Sequence, residues 1–410
     1  MLTSLGHLTF CSNIFPGETW EDHFKSLQEH VPVIKRAVSS DQPFAIGLRI
    51  ANQASLRLSE PGVLEAFRRW LEQNDCYVFT VNGFPYGNFH HCRVKDQVHA
   101  PDWTTGERVA YTLRIARILA ALLPEGMEGG ISTSPLSYKP WFGGDEAKLA
   151  GATASATGHI LEVVSGLHRL RLDTGKTIHL DIEPEAGGLI ESWEEFHEWF
   201  VNHLLPAGIP HLEETLSTTE SLAREIIFDH VRLCYDVCHF AVGFEDMGHV
   251  LEGLETSGIR IGKWQLSAAL KLRLSGNRGQ DAARLEDIRR FDEPVYLHQV
   301  VEKTSGDLRR FEDLPEALKD AAAMSGEWRS HFHVPLFLTS FGLLESTQPE
   351  VAEALRYQAS RPYTTHLEVE TYTWDVLPEN LRLPVAQSVV RELNWVLAQI
   401  DANPKTQPHA

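Results

Sequence analysis

No stretch of this chain approaches the roughly 20 apolar residues that a membrane-spanning helix needs; the longest, IARILAALL at 115–123, stops far short. Nor does a basic segment followed by an apolar core open the sequence, so the expectation is a cytoplasmic protein without membrane insertion. Cysteine is scarce: five residues, at 11, 76, 92, 234 and 238, form no CxxC pair, which argues against a disulfide framework and suits reduced, buried thiols. Basic residues are in deficit, 37 Lys and Arg against 56 Asp and Glu, a formal net charge of −19. That balance disfavours a general binder of phosphate backbones, so nucleic acid is not an expected partner, while a local basic pocket stays possible.

Several catalytic signatures are also missing. No GxGxxG follows a strand-like run, DTGKT at 173–177 lacks the upstream glycine of a phosphate-binding loop, and no GxSxG elbow occurs. HEWFVNH at 197–203 has the wrong spacing for a helical HExxH zinc site. Nucleotide-cofactor and serine-hydrolase chemistry are therefore poorly supported. Repeats, low-complexity segments and flexible linkers are lacking too.

What is present is alternation. Short strand-like runs at 8–13, 44–50, 76–82, 130–134, 177–183, 231–237, 259–267 and 366–371 are separated by helical patterns at 20–37, 61–73, 107–123, 146–172 and 192–205, with a last helix at 385–400. Strand and helix in turn imply βαβ units, and about eight such units imply an α/β fold of the (β/α)₈ TIM-barrel type. The chain, 43% apolar, has room for one such domain over 1–402 with a short tail at 403–410. The rhythm breaks between 270 and 337, where YLHQVVEKTSGDLRRFED reads as an inserted hairpin turning at Ser305-Gly306-Asp307, LPEALKDAAA as a helix and SHFHVPLF as an extra strand.

The functional reading starts from TIHLDIEPE at 177–185, a strand with an apolar face of Ile178, Leu180 and Ile182 and an ionisable face of His179, Asp181 and Glu183. In a barrel, alternate side chains point inward, and inward polar groups at strand C-termini face the site where substrates bind. The same parity sets Cys234 and Asp236, then His239, on one face of RLCYDVCHF; Lys263 and Gln265 on one face of IRIGKWQLS; His366, Glu368 and Glu370 on one face of HLEVETY; and His331 and His333 on one face of SHFHVPLF. Carboxylates buried together oppose one another's ionisation, a conflict that a divalent cation removes. Glu183, Asp236, Glu370 and either Gln265 or His333 form an oxygen-rich set suited to Mn, Zn, Mg, Fe or Co.

Each residue also has a plainer reading: a single strand-end Glu commonly sits in a structural ion pair, Gln265 can be a hydrogen-bonding barrel glutamine, and His298 in YLHQV can be a satisfied sheet histidine. Asp181, Glu368 and His366 lie deeper and suit the support of a site from below. Asn13, Arg49, Asn82 and Ser134 end the early strands; Arg49 and Lys263 suit a phosphate or carboxylate ligand, or a neighbouring acid. Loops NGFPYGNFHH and SPLSYKPWFGG bring Tyr86, His90, His91, Lys139 and Trp141, a composition suited to a lid over a polyhydroxylated ligand or to ordinary loop packing.

Strand-end Glu183, DVCH with Asp236 three before His239, the polar seventh strand and Glu370 resemble the xylose isomerase-like superfamily, which includes sugar isomerases, ketose 3-epimerases and endonuclease IV. HLTFCSNIFPGETW, FTVNGFPYG, GISTSPLSYKPWF, HLDIEPE, CYDVCHFAV, KWQLSAAL, YLHQV, HFHVPLF and LEVETYTWDVLP further resemble the EboE-like metabolite traffic proteins of Ebo gene clusters. The resemblance implies metal ligation by Glu183, Asp236, a seventh-strand side chain and Glu370, proton transfer by Glu183 and Glu370, substrate contact by His239, and a role in secondary metabolism. Gln265 stands where the epimerase pattern has a ligating His. The function expected is a metal-dependent isomerase or epimerase of a sugar- or cyclitol-like metabolite, with Arg49, Asn82, Lys263 and His298 as further substrate-binding candidates. Rival expectations are a non-catalytic metabolite-binding protein and a metal-dependent phosphoesterase.

Overall fold

The computed structural model describes residues 1–403 apart from 91, 321–324, 376, 378 and 380–381. The expected loop residue His91, the end of the LPEALKDAAA helix and the tail from 404 onward lie outside the described residues.

Alternation of strand and helix produces the expected barrel. Its strands are β1 (Gly6–Phe10), β2 (Phe44–Arg49), β3 (Cys76–Asn82), β4 (Gly129–Thr133), β5 (Ile178–Ile182), β6 (Val231–Asp236), β7 (Ile261–Leu266) and β8 (His366–Val369). From β2 onward each strand pairs in parallel with the next, and β8 pairs in parallel with β1. The seam between β1 and β2 is thinner: a bridge at Cys11 and Gly47 closes it, with Thr9 Oγ1 donating to Ala45 O at 2.8 Å. Outward residues such as Ile178, Leu180 and Ile182 are fully buried beneath the helical ring, where removal from water stabilises each by about 1.5–3 kcal/mol.

The helices keep close to their sequence patterns, as in Trp20–Val38, Pro61–Gln73, Gly106–Leu122 and Glu146–Thr174. Thr19 and Asp145 cap two of them by accepting from backbone amides of the first turn. The helix expected to end at Leu205 instead continues to Leu216 through a π-helical turn at Phe200–Leu204. Leu205, Gly208 and Leu212 keep one face buried there, which outweighs the helix-breaking tendency of Pro210.

Between β7 and β8 an antiparallel sheet stands beside the barrel. Its order is Leu308–Phe311, Val300–Lys303, Ser325–Ser330, Leu270–Ser275, Leu344–Ser346 and Ser340–Phe341. The hairpin turns where expected, with Thr304 N donating to Asp307 O at 3.1 Å. The extra strand, however, is Ser325–Ser330 rather than 330–337, and the sheet continues to Ser346. Past Ser330 the chain leaves the sheet for the barrel: His331 N bonds Gln299 O at 2.8 Å and Val334 N bonds Ala268 O at 2.9 Å, before Pro335, which has no N–H to offer a ladder. This departure lays His331 and His333 over the barrel mouth.

Candidate metal centre and ligand cavity

Four strand ends converge on one point. Glu183 follows β5, Asp236 ends β6, Gln265 lies in β7 and Glu370 follows β8; all are at most 3% exposed. The Gln265 amide nitrogen donates to all three carboxylates, to Glu183 Oε1 at 3.2 Å, to Asp236 Oδ2 at 3.0 Å and to Glu370 Oε2. One oxygen from each carboxylate lies within 4.8 Å of the others, a spacing that one cation can bridge. Asn13 and Asn82 hold Glu370 from the far side, each donating its amide to Oε1 at 2.7 Å. Ser267 Oγ and the His239 backbone amide fix Asp236 Oδ1 at 2.7 and 3.0 Å, which leaves Oδ2 turned toward the cluster.

Burial, then repulsion from Glu370 and Asp236, pushes the Glu183 carboxyl well above its ordinary range, and its Oε2 has no hydrogen-bond partner. Burial also acts upward on Asp236, but His239 and His333 outweigh it and hold this carboxyl below its ordinary value. For His333 burial alone would favour the neutral ring; Asp236, the Cys238 thiol and Glu370 reverse this and raise it well above the usual imidazole range. Protons and amide hydrogens thus supply the positive charge that the carboxylates require.

A ridge of imidazoles borders this floor. His239 Nε2 and His333 Nε2 each lie 3.2 Å from His331 Nε2, and both are 3.9 Å from Asp236 Oδ2. His239 Nδ1 is 3.1 Å from Pro184 O, and His333 Nδ1 is 3.2 Å from Glu370 Oε2. Glu185 flanks the ridge 3.3 Å from His331 Nδ1 while accepting from Gln299 Nε2 at 2.9 Å. Burial opposes its ionisation, yet hydrogen bonding to His331 and the nearby imidazoles keep its carboxyl far below the ordinary range.

Above lies a cleft whose floor is Glu183, Glu185, Glu370, Asn13, Asn82, His239, His331 and His333. Its walls are largely apolar: Phe84, Pro85, Phe89, Val94 and Val98 from the chain after β3, with Lys95 among them, Tyr296 and Leu297 from the insertion, and Tyr372 after β8. Among the sequence-predicted residues, Glu183, Asn82, His239, His333 and Glu370 line this cleft, and Asp236 and Gln265 lie directly beneath. Three others lie apart from its lining. Arg49 pairs with Glu18 at 3.0 Å and with Gly87 O; Lys263 sits deep in the barrel on Glu368 and on Ser132 Oγ at 3.0 Å. His298 has both ring nitrogens engaged, by Glu293 Oε1 at 2.7 Å and His331 O at 2.8 Å, and stacks on Phe332 at 3.5 Å.

Of the loop residues, His90 lies 3.2 Å from the Tyr296 hydroxyl, Tyr86 packs on Tyr111, Lys139 pairs with Glu195 at 2.7 Å, and Trp141 is 39% exposed. Sequence parity did not single out Glu185, Gln299, Phe89, Tyr296 or Tyr372. Glu185 and Tyr372 had a signal, since each lies two residues past an inward strand-end glutamate. Gln299 and Tyr296 had none, because the insertion that delivers them has no period in common with the barrel.

No family model matches the sequence, and no curated protein matches it. Solved structures similar to this chain include a D-tagatose 3-epimerase-like protein (10% identity, TM-score 0.47, covering 97% of each chain) and the 3-keto-D-glucoside 4-epimerase YcjR of E. coli (13% identity, TM-score 0.45, covering 96% of this chain and 99% of that one). A third is the IolI protein with a bound zinc atom (10% identity, TM-score 0.43, covering 98% of this chain and 100% of that one).

Proposed function

We propose that this chain is a metal-dependent isomerase or epimerase of a sugar- or cyclitol-like metabolite, of the EboE type in secondary metabolism, acting at the C-terminal mouth of its barrel. The observation that carries the reading is the single point shared by Glu183, Asp236 and Glu370, where, among the described residues, a neutral amide is the donor common to three buried carboxylates. The donor set fits a hard or borderline divalent cation, held by those carboxylates and by either the Gln265 amide oxygen, after the amide turns over, or His333. When bound, such an ion supplies polarisation of a carbonyl and its adjacent hydroxyl, which lowers the cost of removing the proton between them.

The protein's own groups do the rest. With a cation bound, Glu183 would be ionised and is placed to take the α-proton on its partner-free oxygen, while Glu370, steadied by Asn13 and Asn82, would deliver a different proton, carried on its own carboxyl, to the opposite face. His239 lines the cleft with its Nδ1 3.6 Å from Glu183 Oε1 and is placed to hold a substrate hydroxyl, while the largely apolar walls limit the access of water. Two measurements test this. Metal content by plasma mass spectrometry of the untagged protein should be near stoichiometric, and substrate turned over in D₂O should gain deuterium at the α-carbon. Turnover without deuterium incorporation sinks the proton-transfer mechanism.

A second reading rests on the same glutamine: because the Gln265 amide already ties the three acids together, the cleft can serve as a hydrogen-bonded pocket that carries a metabolite without converting it. Tight, metal-independent binding with no turnover, retained in Glu370→Gln, would favour that reading.

A further inference from the structure

The cleft has two chemically distinct halves. Its floor is carboxylates, amides and imidazoles, whereas its walls are formed by Phe84, Phe89, Val98, Leu297 and Tyr372. A bare sugar or cyclitol presents hydroxyls on nearly every side, and hydroxyls set against apolar walls lose hydrogen bonds to water without replacement. Cations that could greet an anion are committed elsewhere. Arg49 is paired with Glu18 and Lys263 with Glu368; Lys95, on the cleft wall, donates to Asp313 Oδ2 at 2.7 Å and to Glu293 O at 3.1 Å. The floor itself presents Glu183, Glu185 and Glu370, with Asp236 beneath them. Among the described residues, the one Lys or Arg that lines the cleft, Lys95, is thus already engaged and is not free to meet a phosphate.

We infer that the ligand is uncharged and two-part: a compact head with neighbouring oxygens, seated on the floor, joined to an apolar, preferably flat body laid against the Phe89 and Tyr372 rings, which meet edge to face with centroids 5.1 Å apart. Free monosaccharides and sugar phosphates are poor ligands by this account. The inference deepens the proposed function, since it takes the floor as the place where the reacting oxygens bind.

The test uses the full-length, metal-loaded protein and calorimetric binding of matched probes on two heads, a hexose and an inositol, each as the free compound, its phenyl glycoside or phenyl ether, and its monophosphate. Burial of one phenyl ring predicts binding roughly 10- to 100-fold tighter than the free compound, with the phosphate weaker than either. Phe89→Ser, with Phe89→Leu as the milder variant, should narrow the ratio between phenyl and free compounds by about 10-fold and about 3-fold respectively. Equal affinity for phenyl and free compounds, tighter binding of the phosphate, or no binding of either phenyl probe overturns the inference. Its failure is separable from that of the proposed reaction. Deuterium exchange into free sugars bound as tightly as phenyl ones keeps the reaction and removes the two-part ligand; strong phenyl preference without exchange does the reverse.

Discussion

Two polar layers lie one above the other inside the barrel, built by the same strands, and they differ in how their charges are settled. In the deeper layer every acid has its own partner: Lys263 is bonded to Glu368, and His179 Nδ1 is 2.6 Å from Asp181 Oδ1. Burial opposes the charge on Lys263, but the Glu368 carboxylate overrides it and keeps the ammonium charged well above its ordinary range. Burial pushes Asp181 up and His179 down, so both shifts favour the neutral forms of that pair. Gly47 and Gly262 make room for it all, since a Cβ at either would overlap Glu368 or Asp181. The upper layer instead gathers three acids around one amide. Both layers show the same polar parity in sequence; what separates a supporting network from a reactive centre is whether each charge has a dedicated counterpart.

The comparison is broken most severely by emptying the upper layer. Glu183→Ala/Asp236→Ala should lower bound metal from near stoichiometric to background, and any turnover with it by more than about 1,000-fold, while the melting temperature changes little or rises as repulsion is removed. A loss of folding comparable to the loss of metal would instead make the upper layer structural.

In the deeper layer the opposite pattern is expected. Lys263→Met should cost about 3–5 kcal/mol in urea unfolding because it strands a buried carboxylate, and adding Glu368→Leu should recover at least half.

The histidines sharpen the contrast through pH. Burial holds His230 down to about 4, with its Nδ1 2.6 Å from Ile178 O, and the same cause lowers His179 and His366 well below their ordinary values. These rings bind protons more readily in the unfolded chain. The stability they contribute is therefore present above about pH 6.5 and lost as pH falls toward about 4, by roughly 3 kcal/mol for His230 alone. Melting temperature against pH should show this decline, and His230→Gln should shallow it.

The smallest effect tests the shared donor. Gln265→Leu should weaken metal binding by about 10- to 100-fold if its amide orients or completes the ligand set, as read by competition with a fluorescent chelator. Unchanged affinity would assign that place to His333.

The barrel and most of its floor were legible in the sequence because both rest on a period of two. Ile178, Leu180 and Ile182 identified the outward face of β5, and the same alternation fixed Glu183, Asp236, Gln265 and Glu370 as inward strand-end groups. The insertion was harder to place. His331 and His333 were visible as a pair, but the SGEWRS segment that pairs in the sheet has few β-branched residues and little apolar alternation, so the strand was expected some five residues late. Arg49 and Lys263 show the other limit: parity says which side a residue faces, while its partner depends on residues far away in the chain, here Glu18 and Glu368.

The thin seam between β1 and β2 has a mechanical consequence. Seven of the eight joints in the barrel wall are ladders, whereas this one is a bridge at Cys11 and Gly47 plus the Thr9 hydroxyl. A cylinder sheared about its axis gives first at its weakest joint. Asn13 and Glu370 stand together on the β1–β8 side of that bridge, while Asn82 stands on the β2–β3 side and donates to Glu370 at 2.7 Å, so slip at the seam is geared through Asn82 to the aim of the carboxylate. The joint acts as a compliance in an otherwise stiff frame.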